Sequence, residues 1–165
     1  LGETAEEMGG SEYFEYLGEF VGNSIPKVDA DKALKLYRAL QSAVESGLIA
    51  SCESVSIGGL GVSLARMAIA GNLGMELSLE NLPMVDANLR PDYVLFSESQ
   101  SRLVVTVNPA KQAEFEKQFE GLSFGLIGKV RGDQKFAVNG VTGEVLVNTE
   151  IAKLEESYRL TFKGY

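Results

Sequence analysis

The sequence has no histidine and a single cysteine, Cys52. Without an imidazole the chain lacks the commonest general base and metal ligand, and with one thiol it can close no disulfide within itself. A reducing, cytoplasmic compartment is therefore expected. No apolar run approaches the roughly 18 to 20 residues that cross a bilayer, and the opening LGETAEEMGGSEY is acidic where a secretory signal is basic and then apolar. Positive charge is also scarce: 15 Lys and Arg against 23 Asp and Glu give a formal net charge of -8, with no basic patch along the chain. Nucleic acid is not an expected partner, and neither is a membrane. The chain opens on Leu1 and not on Met, so a piece of a longer polypeptide is expected.

What is present is an ordinary globular balance, 45% hydrophobic and 23% charged over 165 residues, enough for one core and one domain spanning 1–165. In DADKALKLYRALQSAVESG the residues Ala33, Leu34, Tyr37, Leu40, Val44 and Leu48 recur at helical spacing, with Asp29 as N-cap and Gly47 as the stop. LIASCESVS reads as a strand running into Gly58 and Gly59, and GGLGVSLARMAIAGN as a helix with Leu60, Leu64, Met67 and Ala68 on one face. Tyr93 to Phe96 and Leu103 to Val107 read as strands joined by SESQS. Asn108 and Pro109 open a helix with Phe115 and Phe119 one turn apart; GLIGKV, KFAVNG and GEVLVN read as strands, and Thr149 as the start of a last helix. The class is α+β, a mixed sheet packed with about four helices.

Two stretches carry possible chemistry. The first amides of a helix have no intrahelical partner and attract anions, and Gly58 and Gly59 would let a phosphate approach the backbone; a tight turn between packed elements explains the same pair. SESQSR places Glu98, Gln100 and Arg102 between two apolar runs, two acceptors and a forked donor for a hydroxyl, an amide or a phosphate, or else a solvated hairpin tip. Ser11 in GGSEY reads as a helix N-cap, and Cys52, with no histidine to activate it, as a small buried side chain.

Taken in order, LGET, GGSEYF, the run from VDADKALKLYRAL to GNLGMEL, FSESQSRLVVTV and IGKV resemble the C-terminal end of the phosphoribosylformylglycinamidine synthases, over nearly the whole chain. The resemblance implies the domain shared with aminoimidazole ribonucleotide synthase, the second part of the last copy of a tandem unit; the alternatives are a purely structural or assembly module and a related enzyme of the superfamily such as aminoimidazole ribonucleotide synthase. It implies an ATP-dependent ligase in which ammonia from glutamine converts an amide to an amidine. ATP and magnesium (Mg) would be held mainly by the preceding domains of the same polypeptide, and a glutaminase subunit is a possible partner. No cofactor is assigned to this stretch itself, and no catalytic residue. The cleft residues it implies are Gly58, Gly59, Glu98, Ser99, Gln100 and Arg102, as a substrate- or phosphate-binding set. Where the family stretch reads Ser/Ala-Cys-His-Asp-x-Ser-Asp-Gly-Gly-Leu, this chain has Glu53 for the His, Ser54 for the first Asp and Ile57 for the last Asp, which implies a non-catalytic copy.

Overall fold

The computed structural model describes residues 1–18 and 21–160. In chain order the elements are α1 (Glu12–Leu17), α2 (Ala30–Glu45), β1 (Ile49–Val55), α3 (Gly59–Gly71), β2 (Gly74–Ser78), α4 (Pro91–Phe96), β3 (Arg102–Val107), α5 (Gln112–Gln118), β4 (Gly128–Arg131), β5 (Lys135–Asn139), β6 (Val145–Glu150) and α6 (Ile151–Arg159), with short 3-10 turns at Leu79–Asn81 and Pro109–Lys111. They fall into two compact units, the first made of Leu1–Ser63 with Pro83–Gly125 and the second of Leu64–Leu82 with Leu126–Tyr165.

In the first unit α2 starts where its cap is written: the Asp29 carboxylate accepts the Lys32 amide at 3.0 Å, satisfying a donor that has no intrahelical partner. Its Leu36 and Ala43 are buried with Leu48, Phe115 and Phe119, and Leu40, Leu103, Val105 and Val107 pack against that cluster. The Phe115 and Phe119 rings lie 4.5 Å apart, as one turn of helix requires. Leu34, Tyr37 and Val44, expected on the inner face, are exposed. The inner stripe runs through Ala33, Leu36, Leu40 and Ala43, and these three lie on its shoulder.

β1 and β3 form an antiparallel ribbon of two strands. Cys52, opposite Val105, was expected to be buried and is exposed, on a strand whose residues from Ala50 to Cys52 all reach solvent. Tyr93 to Phe96 is a helix, not the expected strand. Pro91 presets the first helical position and Asp92 sits in the first turn, where the helix dipole favours it. Tyr13 stacks on Phe96 at 4.6 Å and Phe14 meets Tyr93 edge-on at 6.0 Å. Residues three apart share a face in a helix but take opposite faces in a strand, so α1 can meet both rings only if they are helical.

The second unit holds a mixed sheet of four strands in the order β4-β2-β5-β6. β2 lies parallel to β5, Met75 opposite Phe136, and antiparallel to β4; β5 and β6 are antiparallel. Met75, Leu77, Phe136, Val138 and Ile151 are buried. Thr149, expected to open the last helix, is paired in β6 with Phe136, and α6 starts at Ile151, whose amide bonds the Gln134 carbonyl at 3.0 Å. The α+β class and the mixed sheet are as expected, with six α-helices among the described residues.

Candidate functional site

The turn between α4 and β3 is the SESQSR stretch, and its geometry is set by residues far away in the chain. One carboxylate oxygen of Glu98 accepts the Gly58 amide at 2.9 Å and the Glu12 amide at 3.1 Å. A single negative group therefore binds the amide of Gly58, just ahead of α3, and that of the first residue of α1 together. Gly58 and Gly59 have φ of 82 and 68, the left-handed region that favours glycine. At Gly59 space is also required: a Cβ there would stand 2.6 Å from the Ser97 carbonyl oxygen and 2.7 Å from that of Leu95. The Gly59 amide donates to the Ser56 carbonyl at 2.9 Å.

Beneath Glu98 lies Arg102, 4% exposed. Its Nε donates to the Ser99 carbonyl at 3.1 Å, one terminal nitrogen to Thr4 Oγ1 at 2.9 Å, and the other to the Ser97 carbonyl. The partners are all uncharged, so burial pulls the guanidinium pKa down to about 10 against the opposing pull of Glu7 and Glu98, and the side chain stays protonated at neutral pH. Ser99 Oγ accepts the Ala5 amide at 3.0 Å and shares a hydrogen bond of 2.9 Å with Ser97 Oγ. Gln100 is exposed and its amide nitrogen donates to the Glu98 carbonyl at 3.2 Å.

All six residues read from the sequence are thus brought together in the first unit. Ser99 and Arg102 are buried and fully engaged within the fold, Glu98 and Gly58 bond one another, and Gln100 is the one exposed member. Sequence reasoning missed Thr4, Ala5 and the Glu12 amide as their partners. LGET and GGSEY point to them only as fragments of a family resemblance, because nothing in their spacing announces a contact with a turn some ninety residues on. Beside the turn is a cavity of about 310 Å³, bounded among others by Glu3, Lys27, Lys32, Gln100, Ser101 and Ser123. Its wall is held by Glu3, which takes Lys32 at 3.1 Å and the Ser123 hydroxyl at 3.0 Å; these bonds pull its carboxyl below the ordinary value.

Residues 1–141 match the model of the AIR synthase related protein, C-terminal domain. The chain belongs to that family. Over 162 residues, 97% of the chain, it is 34% identical to the phosphoribosylformylglycinamidine synthase subunit PurL of Methanocaldococcus jannaschii, and it spans 21% of that relative. It likewise spans 21% of the PurL of Caldanaerobacter subterraneus, at 35% identity. The fold is that of Thermotoga maritima PurL complexed with ATP, with a TM-score of 0.72 at 22% identity over 93% of this chain and 24% of the other. Two features of this AIR synthase related domain bear on ATP and magnesium. The amide that a phosphate would use at Gly58 is taken by Glu98, and Ile57 just before it is apolar and 64% exposed. Among the described residues no group of three His, Cys, Asp or Glu side chains could hold a metal ion. The glycine pair thus presents no free Gly58 amide to a phosphate and no acidic residue just before it for a cation. At Cys52 desolvation and the neighbouring Glu53 push the thiol pKa up, which favours the thiol over the thiolate.

Proposed function

We propose that this chain is the C-terminal domain of a phosphoribosylformylglycinamidine synthase. The whole protein uses ATP to activate the amide oxygen of formylglycinamide ribonucleotide, and ammonia derived from glutamine displaces the phosphate to give the amidine. The observation that carries this reading is the identity of about a third with PurL subunits along nearly the entire chain. Within the enzyme this domain is the non-catalytic half of a pseudo-symmetric pair. Gly58, Gly59, Glu98, Ser99, Gln100 and Arg102 are its contribution to substrate binding, with Gln100 exposed to the ligand and Glu98, Ser99 and Arg102 supporting it. The capped glycine pair and the apolar Ile57 favour this supporting role over a nucleotide site.

ATP and magnesium belong to other domains of the polypeptide, and the relatives' description as subunits favours a separate glutaminase partner. No described helix is long and apolar enough to cross a membrane, and we place the enzyme in the cytoplasm. The whole protein, supplied with formylglycinamide ribonucleotide, ATP and ammonium, is expected to release ADP and phosphate in step with the amidine. Failure to consume the ribonucleotide overturns the reading. The 165-residue chain alone is expected to turn over no ATP.

A further inference from the structure

We propose that Glu98 is a built-in anion: its carboxylate stands where a phosphate would bind at the Gly58 amide, Arg102 holds it there, and the glycine pair is thereby closed to free phosphate. The Gly58 amide that would be offered to an external anion already faces one. Glu98 is tied at both ends, its carboxylate to the Gly58 and Glu12 amides and its own amide to the Glu7 carbonyl at 3.3 Å.

Arg102 is the positioning residue. It grips the carbonyls of Ser97 and Ser99, the residues on either side of Glu98, and reaches Thr4 with its remaining arm. A planar fork can hold two carbonyls and a hydroxyl at once, which a single ammonium cannot. The two carbonyls so fixed set the direction in which the Glu98 side chain leaves the turn. Ser99 adds to the clamp by bonding the Ala5 amide, and Gly59 keeps the clamp close, since no side chain intervenes between it and the Ser97 carbonyl. A ligand at this turn then meets Gln100, the exposed member of the set, and no free Gly58 amide. This sharpens the substrate-binding assignment made above, but its test reads individual amides and not turnover, so loss of the ligase reading would leave it standing.

Inorganic phosphate is titrated into the 165-residue chain while the amide resonances of Glu12, Gly58 and Leu60 are followed, and amide hydrogen exchange is measured in parallel. The wild-type amides are expected to stay unshifted up to roughly 10 mM phosphate, the weak end of measurable binding. In Glu98→Ala, exchange at Gly58 and Glu12 is expected to rise about tenfold or more as their acceptor is lost, and phosphate is then expected to shift both resonances. Wild-type shifts at Gly58 overturn the proposal. So does unchanged exchange in Glu98→Ala, and so does faster exchange without any phosphate shift, which would make the carboxylate a cap and nothing more. Arg102→Lys is expected to loosen Gly58 and Glu12 together. Should that variant fail to fold, Thr4→Val removes one of the arginine's partners from a folded chain and is expected to raise exchange at the same two amides. Unchanged protection there overturns the positioning role.

Discussion

In the second unit, β4, β2, β5 and β6 bond backbone to backbone, register by register, and a reader needs only alternation and turns to foresee β4, β5 and β6. Among the described residues of the first unit two strands pair in a ribbon, and the chain around them is tied by scattered backbone bonds and by side chains reaching across long gaps: Glu98 to Gly58 and Glu12, Arg102 to Thr4, Ser99 to Ala5. A ladder spreads its stability over many similar bonds, whereas a side-chain tie concentrates it in one residue. Single substitutions should therefore act more unevenly in the first unit than in the second.

The largest effect is expected from emptying the first unit's core. Phe119→Ala removes a ring with no solvent exposure and is expected to cost about 4 kcal/mol, read as a lower urea midpoint and faster exchange along β3. Val138→Ala in the second unit, deleting fewer buried atoms, is expected to cost about 2 kcal/mol; equal losses would erase the contrast. Next comes a pair of glycines in the first unit with similar backbone. Gly59→Ala, with φ of 68 and two carbonyl oxygens in the way, is expected to cost about 3 kcal/mol. Gly121→Ala, with φ of 79 and open space, is expected to cost about 1 kcal/mol. If the two match, backbone conformation alone explains the glycine pair and close approach does not. Asp29→Ala, which removes the cap of α2, is expected to cost about 1 kcal/mol in the same measurement.

The smallest effect belongs to the surface charges of the second unit. Lys129 and then Arg131 hold the Glu76 carboxyl below its usual 4.5, and Arg131 holds Asp133 below 3.8. The unfolded chain takes up these protons at higher pH than the folded one, so the stabilisation is complete above the unfolded values and fades as pH falls through the lowered ones. A modest drop in Tm is expected below about pH 4.5, smaller in Glu76→Gln and in high salt. A pH response unchanged in Glu76→Gln would remove that carboxylate from the account.

Periodicity and caps carried most of the fold. Asp29, the Phe115 and Phe119 pair and the run Leu103 to Val107 were legible because each signal lies within one element. Tyr93 to Phe96 was not: its β-branched and aromatic residues favour a strand, and the contacts that decide otherwise come from Tyr13 and Phe14 in a separate helix. On α2 the apolar stripe is wider than the surface that covers it, so sequence alone placed Leu34, Tyr37 and Val44 on the wrong side. The six candidate residues lie together in the fold, but their internal bonding was invisible in the sequence, because a glutamate in a polar turn looks the same whether it awaits a ligand or caps a distant helix.

The parallel pairing of β2 with β5 has a kinetic consequence. Met75 must find Phe136, and between them runs the stretch Pro83–Gly125, which belongs to the other unit. Before that central pairing can form, a long loop has to close, and its entropy is lost before the first contact of the sheet compensates for it. The antiparallel partners β5 and β6 are joined by a short turn and can meet early, while β2 waits. We expect refolding in which β5 and β6 amides gain protection first and those of Met75 to Leu77 last, in a slow phase that pulsed hydrogen exchange can time.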